Sequence, residues 1–99
     1  MYIIEIFLPL GDNAGHPYPA KQFSEEKEML ADRFGGLTAY NRAPAEGIWG
    51  ERASHDDIII FEVMTSSLDH EWWKTYRRLL EKKFRQDQIL IRATLSETL

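Results

Sequence analysis

The stretch Ile58-Ile-Ile-Phe-Glu-Val-Met64 constrains this chain more than any other. It is almost continuously apolar, rich in β-branched and aromatic side chains, and too short to form a core helix of its own. Ser54-His-Asp-Asp57 precedes it and Thr65-Ser-Ser67 follows it, so polar residues mark both ends. A run of this kind fits a strand inside a sheet, with neighbours on both edges. The other elements can be placed around that strand.

Residues 2 to 8 are Ile-rich and aromatic, and Pro9 and Gly11 close them, which predicts a first strand. Leu10-Gly-Asp-Asn-Ala-Gly-His-Pro-Tyr-Pro19 collects turn formers and predicts a surface loop. From Ala20 to Phe34 the residues Phe23, Leu30 and Phe34, with Met29 and Ala31 alongside, fall on one side of a helical period, whereas Glu25, Glu26, Lys27 and Asp32 fall elsewhere. Gly35-Gly36 supplies the left-handed residue that ends helices, and Leu37 to Arg42 predicts a second strand. A turn at Ala43-Pro-Ala-Glu-Gly47 and a short leg at Ile48-Trp-Gly-Glu51 lead back to the central strand. Asp69 then opens a second helix, His70 to about Gln86, whose Trp73, Tyr76, Leu80 and Phe84 recur at helical spacing, with Trp72 and Leu79 broadening the stripe. Ile89 to Leu95 predicts the last strand.

The order β, α, β, β, α, β predicts an α+β fold: a ferredoxin-like plait in one domain spanning 1–99, with a four-stranded antiparallel sheet and both helices on one face. Strand alternation then sorts the side chains. The helix-facing set is Ile4, Ile6, Leu8, Leu37, Ala39, Ile59, Phe61, Val63, Ile89, Ile91 and Ala93, all apolar. The opposite face is mixed, with Ile3, Phe7, Ile58, Ile60 and Leu90 interleaved with Glu5, Thr38, Tyr40, Arg42, Glu62 and Arg92. So much apolar area on an uncovered face predicts a homodimer through the sheet, in the manner of a dimeric α/β barrel.

Composition narrows the partners. A net charge of -4 gives no general attraction to nucleic acid or anionic membranes. The absence of cysteine removes thiolate chemistry and fits a reducing compartment, so a cytoplasmic location is expected. The apolar start, Met1 to Leu10, lacks a basic n-region and a cleavage site, and no run approaches the roughly 18 apolar residues that cross a bilayer. The Gly11-Asp-Asn-Ala-Gly-His16 loop lacks the Lys and Ser/Thr of a phosphate loop and the dinucleotide fingerprint, so no cofactor is expected. His16, His55 and His70 match no metal-ligand spacing, and no metal site is expected.

Two places could carry chemistry. Glu5, Tyr40, Arg42, Glu62 and Arg92 put carboxylates beside guanidinium groups on a half-apolar face, either as dimer ion pairs or as groups that orient a small polar or aromatic molecule. In the second reading Glu5 or Glu62 could act as a general base. Trp49 stands in a turn-rich segment, as a lid over the dimer edge or core or as a surface on which a ligand stacks.

The order Phe34-Gly-Gly-Leu-Thr38, Gly47-Ile-Trp49, Asp56-Asp-Ile-Ile-Ile-Phe-Glu62 and Phe84-Arg-Gln-Asp-Gln-Ile89 resembles a group of small uncharacterised bacterial proteins over about residues 3 to 93. That resemblance implies the plait and no activity. Some members begin with a secretion or lipoprotein signal, a pattern that this chain does not share. In architecture alone the chain is similar to dimeric α/β barrel proteins, among them cofactor-free monooxygenases, muconolactone isomerases and haem-degrading enzymes. None of their residue motifs is matched, so no catalytic role is transferred. The functional expectation is a homodimeric small-molecule binding or accessory protein. The alternatives are a cofactor-independent isomerase or monooxygenase, and a protein-interaction module without a cavity.

Overall fold

The structure is a computed structural model that describes residues 1–42 and 58–99, with the side chain of Arg42 outside that description. Its elements are β1 (Tyr2–Pro9), α1 (Ala20–Phe34), β2 (Thr38–Arg42), β3 (Ile58–Thr65), α2 (His70–Lys83) and β4 (Ile91–Leu95). They form one four-stranded antiparallel sheet in the order β2-β3-β1-β4. This is the plait that the sequence predicts. The apolar run 58–64 lies in an inner strand, and β1 lies beside it. The short leg at 48–51 and the polar residues 54–57 fall outside the described residues.

Both helices pack on the face made by alternate strand residues. Ile4, Ile6, Leu8, Phe61 and Val63 meet Phe23 and Leu30 from α1 and Trp73, Tyr76 and Leu80 from α2 in one core. Ala39 and Ala93 face the same way, in register with Phe61 and Ile4, yet both are exposed. The two helices therefore cover the central strands and leave the edge strands partly open, where small side chains sit. Among the described residues, no helix is long and apolar enough to cross a membrane.

The helix ends follow local chemistry. Gly35 ends α1 at φ 78°, and its N–H donates to the Ala31 carbonyl at 2.8 Å. Asp69 caps α2 by accepting from the Trp72 N–H at 3.1 Å. The end of α2 comes earlier than its apolar period suggests. Arg85 takes a left-handed φ of 49°, so the Gln86 N–H returns to the Glu81 carbonyl at 2.9 Å and the Arg85 N–H to that of Lys82 at 3.3 Å. This is the usual left-handed helix stop, made here without the glycine that would announce it. Phe84, no longer helical, drops into the core against Tyr18 and Phe23, with ring centroids 5.2 and 5.3 Å away.

Candidate functional site on the outer sheet face

The face away from the helices is built from register. Glu5 of β1 lies opposite Glu62 of β3 on one side and Arg92 of β4 on the other, and Glu62 lies opposite Thr38 of β2. One row, Thr38-Glu62-Glu5-Arg92, thus crosses all four strands. The next row holds Tyr40, Ile60 and Phe7, and beyond Phe7 the chain continues to Leu90, whose carbonyl accepts from the Phe7 N–H at 3.0 Å.

Two carboxylates directly opposite each other repel. Glu5 is offset by cations and donors: the Arg92 Nε donates to one of its oxygens at 2.8 Å and the Tyr40 hydroxyl donates to the other at 3.0 Å, reaching diagonally across β3. The Glu5 side chain is 17% exposed and that of Arg92 is 55% exposed. With one partner so open to solvent, this ion pair adds no more than about 1 kcal/mol to stability. Its effect is positional, because it fixes the guanidinium over the Phe7 ring, 5.0 Å from the centroid. Glu62 is half-buried and makes no hydrogen bond or ion pair among the described residues. The structure thus brings Glu5, Tyr40, Glu62 and Arg92 together. Arg42 has its backbone in β2 opposite Ile58, but its side chain, like all of Trp49, lies outside the described residues.

The Tyr40 phenol is held above its ordinary value of 10.0, first because it is desolvated, then because it donates to Glu5 and faces the charges of Glu5 and Glu62; Arg92 offsets part of this. A raised acid favours the neutral form in the folded state. Its contribution to stability is therefore complete below pH 10 and is lost as the pH climbs through the folded value. The phenolate absorbance that disappears in Tyr40→Phe is expected to titrate above pH 10 and to move back down in Glu5→Gln. A midpoint at or below 10 in the parent protein contradicts the arrangement.

The apolar part of this face is less open than alternation alone suggests. Ile60 is buried, Ile3, Phe7 and Ile58 are half-buried, and Leu90 is 54% exposed.

One polar residue escaped the sequence reading. Glu26 is 7% exposed and lies between the helices, where it accepts from the Tyr76 hydroxyl at 2.8 Å and from the Lys83 ammonium at 2.6 Å. Burial and the Glu26 charge hold the Tyr76 phenol far above its ordinary value. For Lys83, burial alone would lower the ammonium, but the bond to Glu26 and the charges of Glu26 and Glu25 outweigh it and raise it. The signal was present in the spacing: positions 23, 26 and 30 share one helix face, so a carboxylate at 26 required a partner across the interface. The group fastens α1 to α2.

No family model matches the chain, and no curated protein matches it. Among solved structures, a phage SAM lyase in complex with S-methyl-5′-thioadenosine is similar, with a TM-score of 0.56 at 15% identity, over 94% of this chain and 79% of that one. At that identity the likeness concerns the fold, a small α+β sheet structure of the same kind.

Proposed function

We propose that the outer sheet face binds a small polar molecule carrying both an anionic and a cationic group. The observation that carries this reading is the Glu5 frame. Among the described residues it accepts from the Arg92 Nε, which leaves the terminal guanidinium N–H groups available to a carboxylate or similar anion. One position across, the Glu62 carboxylate, which makes no hydrogen bond or ion pair among the described residues, could receive an ammonium or sulfonium group. A second copy of the chain, packed against Phe7, Ile58 and Leu90, would enclose the site and remove it from bulk water, where such charge pairs discriminate best. The same geometry narrows the catalytic alternative. Glu5 is committed as an acceptor on both oxygens, so a general base on this face would be Glu62, with Arg92 stabilising an oxyanion.

The test is a calorimetric and thermal-shift screen of amino acids, small carboxylates, S-adenosylmethionine and S-methyl-5′-thioadenosine, the last two chosen because a protein of similar fold is a SAM lyase solved with the second. Arg92→Ala and Glu62→Gln are each expected to weaken the bound compound by about tenfold or more, since each removes a charged hydrogen-bond partner worth roughly 1.5–3 kcal/mol. Unchanged affinity in both variants, or no binder at all, removes the reading. Light scattering showing a monomer at micromolar concentration removes the enclosing second copy but leaves the open site to stand or fall on the binding data.

A further inference from the structure

A second concavity borders this face. Where β1 ends and the α2–β4 connection returns, Phe7, Ile58 and Leu90 form the apolar part of a cleft of about 200 Å³, and Asn13, Gln86 and Gln88 supply side-chain amides. Phe7 belongs to both places, lining the cleft and carrying the Arg92 guanidinium over its ring.

The amides are differently committed. Gln86 donates one side-chain N–H to the Phe84 carbonyl at 3.1 Å and keeps the other N–H and its oxygen. The exposed Asn13 and Gln88 side chains, which line the cleft, make no hydrogen bond among the described residues, so their amide donors and acceptors are available to a ligand. Asp12, although it lines the same cleft, is used internally. One of its oxygens accepts from the Ala14 and His16 N–H groups at 2.9 and 2.8 Å, and these bonds, His16 first, hold its carboxyl below the ordinary 3.8. With the Gly11–Pro17 bridge and the Asp12 N–H bonded to the His16 carbonyl at 2.8 Å, the loop that carries Asn13 is ordered before any ligand arrives. Gly11 is required there, because a Cβ would stand 2.9 Å from the His16 carbonyl oxygen.

Two features fix the chemical class. Paired donor and acceptor amides beside a phenyl ring suit a flat, neutral heterocycle whose edge carries adjacent donors and acceptors. The volume is smaller than the roughly 300–1,000 Å³ that encloses a whole drug-sized ligand, so the cleft takes one group of a larger molecule. The rest of that molecule would cross from Phe7 to the row of Glu5, two residues or about 7 Å along the strand. We infer that the cleft holds the base of a nucleoside whose charged 5′ substituent lies at Arg92 and Glu62. This inference rests on the small-molecule reading of the outer face and adds the ligand's other half.

The probes are S-adenosylmethionine, which has both halves, and S-methyl-5′-thioadenosine, which has the nucleoside without the amino-acid group. Both are titrated into the full chain by calorimetry and followed through the Asn13 and Gln88 side-chain amide resonances. The double variant Asn13→Ala/Gln88→Ala, at exposed loop positions that leave the core intact, is expected to weaken both compounds about tenfold. Arg92→Ala is expected to weaken S-adenosylmethionine and leave S-methyl-5′-thioadenosine within about twofold. If the double variant binds as the parent does while Arg92→Ala loses affinity, the base site is overturned and the outer-face site survives. If neither compound moves the Asn13 and Gln88 resonances at millimolar concentration, the base site is overturned, and the wider screen then decides the outer face on its own.

Discussion

Replacing Phe61 by alanine is expected to lower the unfolding free energy by about 4 kcal/mol, the largest single effect among the variants considered. Phe61 has no solvent exposure and stands in β3 opposite Ile6 of β1 and Ala39 of β2, beneath α1, whose Lys27 ammonium lies 5.8 Å from its ring centroid. Removing its ring deletes the burial of a whole aromatic side chain and leaves a void that close-packed neighbours fill only in part, a loss of about 3–5 kcal/mol in comparable cores. A domain of this length has only about 5–15 kcal/mol in total. Urea denaturation should show the midpoint falling sharply, with the variant partly unfolded at ambient temperature if the parent lies at the low end. Phe61→Leu keeps most of the volume and is expected to lose less than half as much. Leu79, an apolar residue 51% exposed on α2, marks the contrast: Leu79→Ala should change stability by no more than about 0.5 kcal/mol. Equal losses at 61 and 79 are incompatible with the core as described.

The second large effect lies in the polar fastening between the helices. Glu26→Ala is expected to cost about 3 kcal/mol, because it strands the buried Tyr76 hydroxyl and removes the nearer of the two carboxylates that face Lys83. For a domain of this size the melting temperature should fall by roughly 10–25 °C. A fully apolar replacement behaves differently. In Glu26→Leu/Tyr76→Phe nothing polar is left stranded beneath the surface, since Lys83 can turn to water, so most of the loss should be recovered. The group also has a pH signature. The Lys83 ammonium is raised above its ordinary 10.5, so its contribution is complete below pH 10.5 and declines as the pH rises through the folded value. The gap between parent and Glu26→Ala should therefore narrow in alkaline solution, and a gap that widens there would count against the Glu26–Lys83 pair.

The sheet and its two faces were legible because each strand alternates cleanly and each helix has one apolar stripe. The nearly unbroken apolar run 58–64 marks an inner strand, and the two-residue repeat puts Glu5 and Arg92 on the same face. What alternation could not supply was register. Glu5 opposite Arg92, with Tyr40 reaching over β3, depends on how far each strand slides along its neighbour, and that is set by loops and core packing together. Glu26 is hidden from the pattern because a charge ordinarily marks a solvated face, although its position agrees with Phe23 and Leu30. The early end of α2 was hidden because Arg85 adopts a backbone that glycine usually advertises. The cleft at Asn13 and Gln88 joins loops about 75 residues apart, a closeness that no local pattern encodes.

The strand order β2-β3-β1-β4 also sets a timetable for biosynthesis. β1 is made first, yet the strands that flank it span Ile58–Thr65 and Ile91–Leu95. At about 5–20 residues per second, its Tyr-Ile-Ile-Glu-Ile-Phe-Leu segment waits roughly 5–20 s for the second of them. During that time an apolar strand with both edges open until β3 is made, and one edge open until β4 is made, is available to chaperones and to other nascent chains. Variants that slow translation between β3 and β4 should therefore raise the aggregated fraction without altering the stability of the finished protein, because the strand that leaves the ribosome first is the one whose pairing is completed last.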